Sequence, residues 1–222
     1  MRHRFFLAAL VFSAAPGYAS RSGLNNVPNA DVSAAGTGVV QVYSTFGEDR
    51  KPSFLDGVRL GFAPGNEKIE LGFDTRYKPG KVVPAFFNAK WVASHWDKSL
   101  PVFAIGVASL APRAQDRDRF GQPQSYGVFT HDAGWARVHA GWAAQRRNNA
   151  MFLGLDRTWV VEGHKLQLRV DTLEIQDAGQ WLGSLGFTLQ ITDALKLELW
   201  ESKPSETGKA YTNLKLGWGF RR

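Results

Sequence analysis

The stretch Ile69-Glu70-Leu71-Gly72-Phe73-Asp74-Thr75-Arg76-Tyr77 decides the fold. Its odd positions carry Ile, Leu, Phe, Thr and Tyr, and its even positions carry Glu, Gly, Asp and Arg. A period of two puts one set on each face of an extended strand, whereas a helix would gather apolar residues every three to four positions. The alternation recurs downstream. Leu166, Leu168 and Val170 oppose Lys165, Gln167, Arg169 and Asp171, and Leu195, Leu197 and Leu199 oppose Lys196 and Glu198. Near the C-terminus Leu214, Leu216, Trp218 and Phe220 oppose Lys215, Gly217 and Gly219.

Extended outward, this reading predicts strands over 37–46, 55–63, 68–77, 82–94, 101–110, 124–130, 134–145, 150–161, 165–173, 180–192, 195–201 and 211–221. Turn-forming residues separate them. With no helical stretch to carry parallel crossovers, sequential strands pair as antiparallel hairpins. The connectors differ in character: Pro64 to Glu67, His95 to Leu100, His131 to Ala133, Glu162 to His164 and Asp193-Ala194 are short, whereas Ala111 to Pro123, Asp171 to Gln180 and Ser202 to Ala210 are longer and charged. An even strand count with short turns at one end and longer loops at the other is the pattern of bacterial outer-membrane barrels. The expected fold is therefore all-β, an up-and-down antiparallel transmembrane β-barrel of about twelve strands.

Alternation alone leaves open whether the apolar face meets lipid or a dry core, as in a soluble periplasmic barrel that binds an apolar ligand. The polar phase favours lipid. It mixes Gly57, Gly61, Gly72, Gly154, Gly217 and Gly219 with Arg59, Glu70, Asp74, Arg76, Asn88, Lys90, Arg137, His139, Asp156, Arg169, Lys196 and Glu198, as a crowded, charged interior would. The apolar phase puts Phe62, Tyr77, Trp91, Trp142, Trp159, Trp181, Trp218 and Phe220 near segment ends, where aromatic girdles lie. The first and fifth segments fit this scheme less well: Phe103, Ile105 and Val107 share a strand with Val102, Ala104 and Ala108, so one face of that strand is misread or is covered by the leader.

The N-terminus has a basic start (Arg2, Arg4), an apolar run from Phe5 to Ala15 and small residues at Gly17 and Ala19, which reads as a secretory signal over 1–19. Residues 20–36 form a polar periplasmic leader with no strand period, a candidate plug for the lumen; the barrel occupies 37–222. Of 27 basic and 20 acidic side chains, two basic ones lie in the signal, leaving 25 against 20. That mild excess is interleaved with acids, as in Asp116-Arg117-Asp118-Arg119, and excludes a dedicated nucleic-acid surface. With no cysteine, a secreted chain has neither disulfides nor thiolate metal sites.

The leader Gly23-Leu24-Asn25-Asn26-Val27-Pro28-Asn29-Ala30-Asp31-Val32 resembles the opening of the YjbH-like outer-membrane barrels linked to exopolysaccharide production, with Asn29 where that pattern has Thr. Ile191 to Glu198 is similar to a periplasmic turn between strands of porin-like proteins, and Leu214 to Phe220 is similar to a terminal strand of the type that directs barrel assembly. The resemblance implies an outer-membrane location and a link to polysaccharide.

The chain offers little for catalysis. It has no His-Glu-x-x-His, no Gly-x-Ser-x-Gly and no phosphate-cradling loop, and no cofactor or metal is called for. His131 and Asp132 are adjacent and so point to opposite faces; His139 is in the polar phase, where Asp156 or Arg76 is within its reach. The residues expected to face the lumen are Arg59, Glu70, Asp74, Arg76, Lys90, Arg137, His139, Asp156, Arg169, Lys196 and Glu198. An open lumen of this composition would favour anions. If its carboxylates pair with its cations instead, the lumen is narrow and closed, and this second reading is preferred. The expected function is a narrow porin-like channel or structural envelope protein in the bacterial outer membrane. Its expected partners are membrane lipid and small anionic solutes or polysaccharide; the alternatives are a lipid-modifying enzyme and the soluble barrel.

Overall fold

A computed structural model of the chain describes residues 23–48, 50–65, 67–76, 85–93, 100–111, 124–144, 149–175, 180–206 and 209–221. The expected signal over 1–19, Tyr77, His95, residues 116–119 and the side chain of Arg76 lie outside the described residues.

Twelve strands close into one barrel: β1 (Thr37–Gly47), β2 (Arg50–Phe62), β3 (Lys68–Arg76), β4 (Ala85–Val92), β5 (Val102–Leu110), β6 (Gln124–Asp132), β7 (Arg137–Ala144), β8 (Asn149–Val161), β9 (His164–Ile175), β10 (Gln180–Gln190), β11 (Leu195–Pro204) and β12 (Tyr211–Arg221). Each pairs antiparallel with its sequence neighbours, and β1 closes on β12 from Thr37↔Arg221 to Gly47↔Tyr211. Closure removes the unpaired edges that an open sheet would present.

The short turns are chemically explicit. Val161 pairs with His164 across Glu162-Gly163, whose φ values of 51° and 82° are those of a two-residue turn matching the strand twist. At the next such turn Thr192 Oγ1 accepts from the N–H of Ala194 and of Leu195. Pro52 hides the start of β2, which was expected at 55 and begins at Arg50. It sits where the pairing with β1 is irregular, between Thr45 and Gly47, a place where a missing N–H costs little.

The phases sort as the alternation requires. Val42, Phe73, Leu153, Leu185, Leu216 and Trp218 are exposed on the outside, while Gln41, Asp74, Asp156, Arg169, Ser184 and Glu198 are buried inside. Trp142, Trp159, Trp181 and Trp218 all stand exposed on the outer surface. Asp56 breaks the pattern, lying exposed between Val42 and Thr75. At about 3.3 Å per residue, the 11 residues of β12 extend about 36 Å, enough to cross an apolar band when tilted. A closed barrel with its hydrocarbon outside and its charges inside is built for lipid and would be unstable in water.

Residues 23–36 turn back from β1 into the barrel. Leu24, Val27 and Ala30 pack in one cluster with Ala104, Ala108, Val128, Ala143 and Phe152. The doubly apolar β5 is thereby explained: Ala104 and Ala108 face inward against the leader, while Ile105 faces out. Small residues on this wall make room for the segment. Leu24 reaches so close to Gly154 that a Cβ there would lie 2.2 Å from its Cδ1.

Candidate functional site

The inward side chains form two groups, one bound to the leader and one beside it. Near the end that carries the short turns, Glu70 accepts from the N–H and hydroxyl of Ser33 at 2.8 and 2.7 Å. Lys90 Nζ donates to the carbonyls of Asn29 and Asp31 at 2.9 and 2.7 Å. Deeper in, Asp171 Oδ2 accepts from the N–H of Asn25 and of Asn26 at 2.7 and 3.1 Å. The amide of Asn26 donates to Ser184 Oγ and, at 2.8 Å, to Ser202 Oγ. The leader is thus hydrogen-bonded to β3, β4, β9, β10 and β11 through wall groups that are themselves buried.

His139 belongs to the same group and its ring is fully occupied. Thr130 Oγ1 accepts from the N–H of Ala30 at 2.9 Å, so its own proton is free for His139 Nδ1, also at 2.9 Å. Nε2 then carries the ring proton toward Asp156 Oδ2 at 2.9 Å, and Arg137 grips Asp156 through Nε and Nη2 at 3.0 and 2.8 Å. Arg137 also reaches Asp31 at 2.9 Å. A hydroxyl, an imidazole and a carboxylate in line resemble a catalytic triad. Here the hydroxyl is held by the leader backbone and His139 is fully buried, so the arrangement fastens the leader to the wall.

The second group centres on Glu198. Arg169 Nη1 lies 2.7 Å from its Oε2, and Lys196 and Lys215 lie 3.0 and 3.2 Å from Oε1. Arg169 also lies over the ring of Trp200, 6.0 Å from its centroid. Next to this group Asp74 accepts from Asn88 at 2.6 Å and from Gln41 at 3.2 Å, and a bulge at Ser109, with φ 60°, lets its N–H reach Asn88.

Of the residues expected to face the lumen, Arg59, Glu70, Asp74, Lys90, His139, Asp156, Arg169 and Glu198 are buried inside the barrel, and Arg137 and Lys196 are partly exposed toward the short-turn end. The structure brings His139 to Asp156 and gathers Arg169 and Lys196 around Glu198. Sequence reasoning passed over Gln41, Thr130, Ser184 and Ser202, uncharged residues in the inward phase. Extending the phase by two from Glu198 and Trp200 reaches Ser202, and that is the signal that would have found them.

The fold has a counterpart among solved structures. The KdgM porin, solved in complex with disordered oligogalacturonate, superposes with a TM-score of 0.58 at 7% identity, covering 82% of this chain and 99% of that one. The fold is that of an outer-membrane β-barrel. LpxR from Salmonella typhimurium aligns at a TM-score of 0.48 and 9% identity over 81% of this chain and 99% of that one. A loop-deleted OmpT of Vibrio cholerae aligns at 0.39 and 10% identity over 83% and 98%. No protein-family model matches the sequence, and no curated protein does.

Proposed function

We propose that this chain is an outer-membrane channel of porin type whose lumen is closed, in the conformation described, by its own N-terminal leader, and that it admits small anionic saccharides when the leader withdraws. The observation that carries this reading is the leader seated inside the barrel, its Asn25 and Asn26 bonded to Asp171 and its Leu24 and Val27 packed on the wall. A barrel serving only as a scaffold can fill its interior with wall side chains. In this one Gly154 and four alanines leave a space that only a separate segment occupies. The solute class is supported by the cations beside the leader and by the polysaccharide link that the leader motif implies; KdgM, which shares the fold, was solved with an acidic oligosaccharide. Its short-turn end then faces the periplasm, with the leader entering from that side after the signal is removed.

The test is conductance in planar bilayers of the mature chain against a variant lacking residues 23–33. The deletion is expected to raise open probability. If neither protein conducts, although both migrate as folded barrels in mild detergent, the channel reading fails. The lipid-enzyme alternative fares worse, because His139 faces inward, fully buried, out of reach of lipid.

A further inference from the structure

The Glu198 group carries more positive charge than its carboxylate requires, and it leaves hydrogen-bond donors unused. Three cations lie within 3.2 Å of Glu198, and Arg59 stands close enough to add its field. Counting the neighbouring Asp74 and Asp171 still leaves four cations against three carboxylates, and both of those acids already accept from neutral donors. Among the described residues Arg59 Nε, Arg169 Nε and Nη2, and Trp200 Nε1 are buried without a hydrogen-bond partner, as are the acceptors Glu198 Oε1 and Asp171 Oδ1. Buried donors of this kind, three of the four on guanidinium groups, are costly unless an acceptor reaches them.

We propose that this cluster is a binding site for one oxyanion, either inorganic phosphate or the carboxylate of an acidic sugar, held by Arg59, Arg169, Lys215 and the indole N–H of Trp200. The proposal deepens the channel reading by giving the lumen a specific acceptor for the charged group of a solute. A carboxylate or a phosphate can present two oxygens to the paired donors of a guanidinium, and an ammonium supplies the remaining charge. Exposure of the side chains is graded from the mouth inward: Lys196 is 40% exposed, Lys215 8% and Arg169 1%, so an anion entering from the short-turn end meets Lys196 first. Glu198 is the resident competitor. It orders the three cations in the absence of solute and is the group that a bound anion must share them with.

This competition sets the experiment. The full processed chain, folded in detergent and checked by heat-modifiable migration, is titrated calorimetrically at constant ionic strength with inorganic phosphate, with galacturonate and with neutral galactose. Phosphate or galacturonate is expected to bind and galactose to give no heat; whichever anion binds identifies the source. Arg59→Met and Lys215→Met should each weaken binding about tenfold, the loss of one charged hydrogen bond. Glu198→Gln should tighten it about tenfold, a gain that a purely structural Glu198 would not produce. The site is refuted if folded protein binds neither anion, if Arg59→Met and Lys215→Met both leave the affinity unchanged, or if folded Glu198→Gln binds no more tightly. Binding without conductance would sink the channel and leave the site standing; conductance without binding would do the reverse.

Discussion

Gly154→Ala isolates the leader from the wall. A Cβ at position 154 would lie 2.2 Å from Leu24 Cδ1, whereas its next contacts, Asp171 Cβ and the carbonyl of Val170, are an ordinary 3.5 Å away. The wall accepts the methyl group and only the leader must move. Carbon atoms prefer about 3.7 Å, so Leu24 has to retreat by about 1.5 Å from a pocket where it is already buried against Val27 and Phe152. Overpacking of this kind costs about 1–3 kcal/mol, and because the clash exists only in the docked state, that cost falls on the docking equilibrium. The docked-to-withdrawn ratio should drop by about 5- to 150-fold. Two assays read it: open probability in planar bilayers, and the rate at which a protease added at the short-turn side cuts within residues 23–33. Leu24→Ala removes the clashing methyl groups. It should weaken docking by itself, by about 2–5 kcal/mol, and then abolish any additional effect of Gly154→Ala in the double variant. Equal open probability and equal cutting of wild type and Gly154→Ala would refute the closing role of the leader, and so would strictly additive effects of the two substitutions.

Other substitutions probe other links in the argument. Asp171→Ala removes the shared acceptor of the Asn25 and Asn26 amides and should release the leader tip at a cost of about 1–3 kcal/mol, visible as faster cutting of the leader with an unchanged barrel melt. Leu153→Arg and Leu185→Arg, on the outer band, should each lower the stability of the barrel refolded in liposomes by about 2–4 kcal/mol in urea titrations; a neutral outcome for both would mean that the face does not meet hydrocarbon. His139→Ala should leave the lipid composition of the envelope as wild type leaves it while destabilising the barrel by about 1–3 kcal/mol, because Thr130 and Asp156 lose a buried partner. A change in lipid composition caused by wild type and lost in that variant would instead favour an enzyme.

How much of this was legible in the sequence depended on how far each feature was local. Strand alternation is local, and the period of two in Ile69 to Arg76 carried the fold, the twelve strands and the direction of Arg59, Asp74 and Glu198. Pro52 misled at the start of β2 because a proline reads as a break unless the irregular pairing opposite is known. The two apolar faces of β5 left a choice between a misread face and one covered by the leader, because the leader lies more than seventy residues upstream; the structure shows the cover. Asp156 was legible as a partner of His139, because the two strands are neighbours in sequence, but the contacts of Thr130 and the gathering of cations around Glu198 follow from register between strands and from the leader's path, which no window of sequence encodes. The candidates were therefore found as a set of inward charges, but most of their grouping was not.

That grouping gives the lumen two unlike walls. The wall of β5 to β8 contributes alanines, Phe152 and Gly154 to a dry contact with Leu24 and Val27. The other, formed by β2, β9, β11 and β12, carries Arg59, Arg169, Glu198 and Lys215. The two differ in what would make them let go. Apolar packing is insensitive to salt and weakens on cooling. Charge on the second wall answers to anions, and Arg169 links the two, donating toward the Gly23 carbonyl at 3.5 Å while gripping Glu198 at 2.7 Å. An anion that draws the Arg169 guanidinium away from Gly23 removes one contact from the leader tip, so solute binding and leader withdrawal should favour each other, and by linkage each must strengthen the other by the same factor. Deleting residues 23–33 should then tighten phosphate or uronate binding in the calorimeter. If the deletion leaves that affinity unchanged, the two walls act independently and the channel is not opened by its solute.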